Sequence, residues 1–258
     1  MASIPTTTTF PNTATVQRPH YPIGIPTKFD PDGVAQRYPG NTTVCHIPVN
    51  SPLIDGLKTL YNKFESHPTL SDRILLLPPS SWHMTVLDGV RETECEPGMW
   101  PDGMPKPDLD DSTKDLACRL RQLGPRLRQD GLAPPYRMRV RSFDPATGGI
   151  ALVVEGATAD EEKRMRRLRD LLADTVGFKA PNHDQYLFHV TVAYLLRYID
   201  GDDYEQLQRD FARLLPPLQQ FEFELGAVEF CTFETMLAFP RLFYLGEDED
   251  ENGRVAQA

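Results

Sequence analysis

The sequence predicts an α+β fold made of two matching lobes. Segments with apolar residues at helical spacing alternate with segments typical of strands. A strand–helix–strand unit occurs first within residues 42–87 and again within residues 150–196, and each copy ends in a similar histidine-containing stretch. This duplication predicts a bilobal domain.

Length and composition favour one folded domain. The chain has 258 residues, of which 40% are hydrophobic and 25% are charged, values that are ordinary for a globular protein. No run reaches the roughly 18 to 20 apolar residues that a membrane helix needs, so we expect no membrane partner. We predict a Thr/Pro-rich disordered tail at 1–25, a single bilobal domain at 26–246 and an acidic disordered tail at 247–258.

Charge and cysteine usage limit the partners and the compartment. The net charge of −10 argues against coating of long nucleic acid, but part of it lies in the acidic run 247–251, so a small anionic substrate is compatible. The four cysteines lie far apart, and the first twenty residues contain no apolar signal segment. A transit peptide is disfavoured there because Arg18 is the only basic side chain besides His20. We expect reduced thiols in a cytoplasmic monomer.

Residue patterns define the elements of the first unit. Strands are predicted at 42–49, 74–77 and 82–87. Ser51 suits the N-cap of a helix, because apolar residues recur after it at helical spacing. The segment 97–107 is rich in proline and glycine, which predicts a loop.

The remaining elements complete the second lobe. A helix over 112–129 contains Gly124 and Pro125, which indicate a kink or an early end. The turn 144–149 joins the two strands of a predicted hairpin. The other predictions are hairpin strands at 136–143 and 150–155, helices at 160–176 and 202–215, and strands at 187–196, 221–229 and 232–239.

A His-x-Thr-Val motif occurs once in each unit. It reads HMTV from His83 and HVTV from His189. Side chains alternate between the faces of a strand, so each histidine shares a face with the threonine two positions on, Thr85 or Thr191. The opposite face is apolar in both copies and suits a covering helix. If the two strands lie side by side, all four polar side chains line one groove.

Two histidines beside one phosphate supply acid–base chemistry. Imidazole has an unperturbed pKa of about 6.5, so it exchanges protons near neutral pH. Hydrolysis at phosphorus needs a base to activate water and an acid to protonate the departing oxygen, each typically contributing roughly 10²- to 10⁴-fold. Threonine hydroxyls donate hydrogen bonds to phosphoryl oxygens. One such motif alone is more often a core-edge feature, but two copies at matching positions favour a functional pair.

The paired motifs resemble those of the two-histidine (2H) phosphoesterase superfamily, whose signature is one H-x-[ST]-hydrophobic motif in each lobe. The stretches KFDPDG at 28–33 and PGNTTVCHIP at 39–48 are similar to a little-characterised branch known as a domain of unknown function. The resemblance covers residues 28–245. It implies a pseudo-two-fold fold in which antiparallel sheets line a central cleft and the helices lie outside.

The resemblance also implies an activity. Members of the superfamily process 2′,3′-cyclic phosphates, related cyclic phosphates or RNA ends without metal. This implies a cyclic phosphodiesterase without metal or cofactor, acting on a small phosphorylated or nucleotide-like substrate or on a short RNA end. Its proton-transfer pair is His83 and His189, and its phosphate-holding hydroxyls are Thr85 and Thr191. The acidic chain departs from the basic clefts of RNA-processing members, which disfavours a long RNA.

Four further residues are candidates for substrate contacts. Arg91 and Arg197 each follow a motif histidine by eight positions, and they reach the phosphate only if the chain turns back; otherwise they are surface arginines. His46 either lines the groove from the first strand or is a neutral structural histidine. Trp100 either stacks on a base from the loop or pins that loop to the core.

Three other functions compete with hydrolysis. A relative of the same fold without catalysis would bind a nucleotide or a phosphorylated ligand, but the intact motifs argue against it. A metal-dependent hydrolase is disfavoured because the spacings H-x-H, H-x-x-x-H and H-E-x-x-H do not occur, so we expect no metal site. A purely structural role predicts that neither motif histidine affects any turnover.

Overall fold

The computed structural model describes residues 18–247, and one antiparallel sheet runs through this part of the chain. Its strands are β1 (Gly40–His46), β2 (Ile74–Leu76), β3 (His83–Arg91), β4 (Tyr136–Phe143), β5 (Gly149–Gly156), β6 (His189–Leu195), β7 (Glu222–Leu225), β8 (Glu229–Phe233) and β9 (Arg241–Tyr244). The helices are α1 (Pro52–Glu65), α2 (Leu109–Arg121), α3 (Gly124–Gln129), α4 (Ala159–Val176) and α5 (Gly201–Leu218). The predicted α+β class is confirmed.

The strand order is symmetric about its centre. The strands follow the order β7-β4-β5-β6-β3-β1-β8-β9, and β2 pairs with the C-terminal part of β6. Outward from the junction of β3 and β6, each lobe therefore contributes four strands. Each lobe also contains one strand–helix–strand unit, with α1 between β1 and β3 and α4 between β5 and β6. This arrangement confirms the bilobal, pseudo-two-fold prediction.

Local capping explains where two of the helices begin and end. At the start of α1, the Ser51 hydroxyl accepts a hydrogen bond from the Leu53 amide at 3.3 Å. At the start of α4, the Thr158 hydroxyl accepts one from the Glu161 amide at 3.2 Å, and an acidic first turn suits the positive end of the helix dipole. Gly177 caps the C-terminal end of α4, and its φ of 86° favours glycine.

The apolar faces of the two motif strands are covered by helices. Met84 and Val86 on β3, and Val190 and Val192 on β6, have no exposed surface. Helix α4 packs against β3, and α1 packs against β6. The opposite faces carry the histidines and threonines of the motifs, which keep part of their surface accessible. Burial of one face of each strand therefore leaves the polar face free for a site.

The helix predicted over 112–129 is broken, as its glycine and proline indicate. Gly124 opens α3, and a Cβ atom at this position would lie 2.9 Å from the Cα atom of Gly246. The close approach of these two backbone segments therefore requires glycine. Pro125 lies in the first turn of α3, where its missing amide hydrogen costs nothing.

Two groups of strand boundaries differ from the prediction. The strand predicted at 42–49 starts at Gly40 and ends at His46, because Pro48 has no amide hydrogen for the ladder. Instead of the two closing strands predicted at 221–229 and 232–239, the chain forms the three short strands β7, β8 and β9. Residues 234–240 leave the sheet, and the Thr235 hydroxyl accepts a hydrogen bond from the Leu237 amide at 3.2 Å, a local turn that competes with strand pairing.

The N-terminal part of the described chain packs on the domain. Residues 18–25 fall within the predicted tail, yet Arg18 Nη1 contacts Asp200 Oδ1 at 2.8 Å and Ile25 is buried. The rest of the predicted N-terminal tail, and all but residue 247 of the predicted acidic tail, lie outside the described residues. All four cysteines are free thiols. Between residues 18 and 247, no helix is long and apolar enough to cross a membrane.

Candidate active site

The two histidine motifs meet where the lobes join. Strands β3 and β6 run antiparallel, and Met84 pairs with Val190 across the junction. Met84 and Val190 hold the same position in their motifs, between the histidine and the threonine. Antiparallel pairing therefore sets His83 beside Thr191 and Thr85 beside His189, all on the same face.

The four polar side chains of the motifs line one cavity of about 180 Å³. The structure thus brings together the four residues that the sequence predicts as the catalytic group: His83, Thr85, His189 and Thr191. A larger surface depression, of about 970 Å³, lies around Leu127 and Phe243 and has no histidine among its lining residues. The smaller cavity is therefore the better candidate for phosphate chemistry.

Both motif histidines are held by the same backbone contact. The Nδ1 atom of His83 lies 2.7 Å from the Ser81 carbonyl oxygen, and that of His189 lies 2.8 Å from the Leu187 carbonyl oxygen. A carbonyl oxygen only accepts hydrogen bonds, so Nδ1 carries the hydrogen in each ring. Within the described chain, neither Nε2 atom has a hydrogen-bond partner. Each Nε2 is therefore available to take or give a proton.

The surroundings of His83 favour its neutral form. Burial lowers its pKa to about 4, and the neighbouring imidazoles of His46 and His189 act in the same direction. The Ser81 carbonyl opposes this effect but is outweighed. The Phe239 ring packs against His83 with 4.2 Å between ring centroids, which removes water from one face of the imidazole. At neutral pH His83 is therefore a proton acceptor.

A buried tyrosine lines the site, and a buried arginine packs against its ring. Tyr186 lines the cavity, and burial raises its pKa, so it stays protonated. The guanidinium carbon of Arg169 lies 3.9 Å from the centroid of the Tyr186 ring, and Arg169 also donates to the Val86 carbonyl. Arg169 is 1% exposed, and burial lowers its pKa. Helix α4 thus places a buried cation directly beneath the cavity.

The opposite wall of the cavity combines a lysine with aromatic rings. Lys28, Tyr38 and Tyr194 all line it. The Nζ atom of Lys28 lies 5.4 Å from the Tyr38 ring centroid and 5.2 Å from that of Tyr194. These distances are typical of cation–π contacts. The N-terminal segment therefore adds a positive charge to a cavity lined mostly by strand residues and by the 234–240 turn.

The four weaker candidates occupy different places. Arg91 lines the cavity from the end of β3. Arg197 lies outside it and donates to the Pro31 carbonyl at 2.8 Å. Trp100 also lies outside, and its indole Nε1 donates to the Met104 carbonyl within the loop at 2.9 Å.

His46 lies beside the cavity rather than in it. Its ring centroid is 5.9 Å from that of His83, and its Nδ1 atom contacts Glu229 Oε2 at 3.0 Å. The contacts with Glu229 hold the pKa of that carboxyl below its usual value against the opposing effect of burial. His46, Glu229 and Arg241 line a separate surface depression. His46 therefore contacts the ring of His83 but does not line the cavity.

Several residues that line the cavity share no motif and were not predicted from the sequence: Lys28, Tyr38, Asp88, Tyr186, Tyr194, Phe233, Met236 and Phe239. Lys28 opens the stretch KFDPDG that carries the family resemblance, and this is the one available signal. The others come from five separate parts of the chain. Only the fold brings them together.

Two clusters in the described residues have a spacing suited to a metal ion. One contains His46, Glu229 and Cys231, and the other contains Asp170, His183 and Asp184. Neither includes a motif histidine. In the first cluster, Arg241 Nη1 lies 3.3 Å from the Glu229 carboxylate, and its positive charge opposes a cation there. The paired motifs are thus separate from either cluster.

A solved structure from Agrobacterium tumefaciens shares the fold. The chain is similar to a conserved protein of unknown function from Agrobacterium tumefaciens, with 27% identity and a TM-score of 0.77, covering 90% of this chain and 96% of that one. Similarity is lower to a Thermus thermophilus protein, with 15% identity, a TM-score of 0.45 and coverage of 82% and 98%. Escherichia coli LigT complexed with phosphate has 7% identity, a TM-score of 0.44 and coverage of 81% and 96%.

Sequence comparison finds a similar family for the N-terminal half of the domain. No curated protein matches the chain. Residues 28–149 match the family model described as 2H-phosphodiest, domain of unknown function (DUF1868). This segment contains Lys28, the first histidine motif and Arg91. Residues 28–149 are therefore similar to this domain-of-unknown-function family.

Proposed function

We propose that the protein is a metal-independent phosphoesterase that hydrolyses a small cyclic phosphodiester, such as a 2′,3′-cyclic nucleotide. One observation carries the proposal: the antiparallel junction of β3 and β6 sets two histidines and two threonines around one cavity. Both rings present a free Nε2 to it. Four polar groups with this symmetry suit a tetrahedral anion approached from two sides.

The surroundings of His83 support one assignment of the two roles. His83 is the base, because burial keeps it neutral and its Nε2 atom accepts the proton of the attacking water. His189, in its protonated form, donates from Nε2 to the departing ribose oxygen. The water oxygen forms a new bond to phosphorus as the bond between phosphorus and the ribose oxygen breaks. The hydroxyls of Thr85 and Thr191 donate to the phosphoryl oxygens, where negative charge increases.

Turnover of a panel of 2′,3′-cyclic nucleotides in EDTA tests the proposal. We expect the unmodified protein to be active, and His83→Ala and His189→Ala each to lower kcat/KM by roughly 10²- to 10⁴-fold. His20→Ala is the matched control, because His20 is exposed and lies outside the cavity. Equal activity in all four proteins would refute the paired-histidine mechanism. Binding of the nucleotides without turnover would instead indicate a non-catalytic relative.

A further inference from the structure

We infer that the same cavity has a second anion subsite, formed by Lys28 and Arg91, and that the substrate carries a phosphate monoester in addition to its cyclic phosphate. This inference rests on the proposed function, because it assigns the histidine motifs to the cyclic phosphate. The second subsite uses residues outside those motifs. The substrate class that follows is a nucleoside cyclic phosphate with one further phosphate.

Lys28 has no carboxylate partner in the described chain. Its ammonium group contacts only the faces of Tyr38 and Tyr194, and it lines the cavity. Lys28 is partly buried, and burial of a cation is unfavourable unless an anion or a hydrogen-bond acceptor faces it. The tyrosine faces supply part of this stabilisation, and a phosphate in the cavity would supply the rest.

Arg91 is incompletely paired in the same way. Its Nη2 atom donates to the Glu94 carbonyl at 2.7 Å, and its buried Nε atom has no hydrogen-bond partner among residues 18–247. Guanidinium groups bind phosphate through two donors at once. The single neutral acceptor at Nη2 holds the side chain in place and leaves other donors for a ligand.

Charges along the cavity wall leave a surplus for a second anion. Asp88 is the one carboxylate among the described residues that line the cavity, and its charge stabilises the buried Arg169 cation beneath. The cyclic phosphodiester carries a single negative charge, and the inference assigns it to the histidine motifs. Lys28 and Arg91 then remain as two positive charges, which matches the charge of a phosphate monoester at neutral pH.

The backbone holds Lys28 in position before any ligand binds. Gly24 has a φ of +93°, and its carbonyl accepts hydrogen bonds from the amides of Lys28 at 2.7 Å and Phe29 at 3.3 Å. A Cβ atom at Gly24 would lie 3.2 Å from Cδ of Lys28. The turn therefore needs glycine both for its conformation and for room beside the lysine stem. A preorganised cation costs less to use in binding than a mobile one.

The volume of the cavity limits where the second phosphate lies on the substrate. Both subsites line the same space of about 180 Å³, which is below the roughly 300 Å³ at which pockets for drug-sized ligands begin. Two phosphates that both occupy this cavity lie close together, as they do on one ribose. A nucleoside 2′,3′-cyclic phosphate with a 5′-phosphate meets this condition.

The test compares two substrates within each protein. The substrates are adenosine 2′,3′-cyclic phosphate and the same compound with a 5′-phosphate. We expect the unmodified protein to prefer the 5′-phosphorylated compound at least about tenfold in kcat/KM, and Lys28→Met and Arg91→Met each to bring this ratio close to one. Lys58→Met is the matched control, because Lys58 is an exposed lysine on α1, and it should keep the preference.

The outcomes separate this inference from the proposed function. A ratio near one in the unmodified protein, or a preference that survives both substitutions, would overturn the second subsite while leaving histidine-dependent hydrolysis intact. Absence of turnover with both compounds would overturn the proposed function, and the inference with it. Because the readout is a ratio within one preparation, partial loss of folded protein in a variant does not change it.

Discussion

The contact between Phe239 and His83 leads to a quantitative prediction about the pH dependence of activity. The Phe239 ring lies 4.2 Å from the imidazole, centroid to centroid, and burial is the largest cause of the low pKa of His83, about 4. Phe239→Ala admits water to that face of the ring. The pKa of His83 should then rise toward its ordinary value of 6.5.

The size of the effect follows from these two values. A general base must be neutral, so activity is lost as the pH falls through its pKa. In the limit of full rehydration, the change from about 4 to 6.5 corresponds to about 3 kcal/mol. At about pH 5.5 the unmodified His83 is almost fully neutral, whereas a fully hydrated histidine is only about one-tenth neutral. Phe239→Ala should therefore lose up to about tenfold of its own plateau activity there.

The assay is the pH profile of kcat/KM, which reports ionisations of the free enzyme. Phe239→Leu is the matched control, because it keeps an apolar side chain over the imidazole and should keep the acidic limb near pH 4. The position of the limb is the readout, so a lower plateau in either variant does not affect it. An acidic limb near 6.5 in the unmodified protein, or an unchanged limb in Phe239→Ala, would refute the assignment of His83 as a desolvated base.

Two further predictions address the phosphate site and the fold. Thr191→Val removes a phosphate donor without changing side-chain volume, and we expect kcat to fall by about 10²-fold while the unfolding midpoint in urea stays close to its original value; an unchanged kcat would contradict the role of this hydroxyl. Gly156→Ala places a Cβ atom 2.1 Å from the Glu162 amide nitrogen in the first turn of α4, so we expect a loss of at least about 1 to 3 kcal/mol in the free energy of unfolding, measured by urea titration. Wild-type stability in that variant would show that α4 is not packed as closely as described.

Sequence was sufficient for the centre of the site because that centre depends on local rules. Alternation along a strand places His83 with Thr85, and His189 with Thr191, without knowledge of the rest of the fold. The duplication then indicates that the two strands are equivalent. Their antiparallel pairing through Met84 follows from that symmetry.

Equal spacing did not suffice for the two arginines. Arg91 and Arg197 stand at the same distance from their histidines, but Arg91 is still on β3, whereas β6 ends at Leu195. Beyond that end, backbone carbonyls of Pro31 and Leu196 bind the Arg197 guanidinium. The lobes are thus symmetric in their motifs and asymmetric at their edges.

The rest of the cavity wall depends on contacts that sequence patterns do not encode. Lys28 arrives from an N-terminal turn, and Phe239 arrives from residues that leave the sheet after β8. A strand was predicted over 232–239, which would have kept Phe239 within the sheet. That departure places the Phe239 ring against His83, whose burial lowers its pKa.

The central claim is that His83 and His189 have different roles in one proton-transfer pair. The most direct measurement compares hydrolysis of a ribose cyclic phosphodiester with that of a nucleotide nitrophenyl phosphodiester, whose leaving group departs without protonation. We expect that His189→Ala recovers much of its activity on the nitrophenyl ester, while His83→Ala remains impaired on both substrates. Equal impairment of the two variants on both substrates, or recovery by His83→Ala instead, would contradict it.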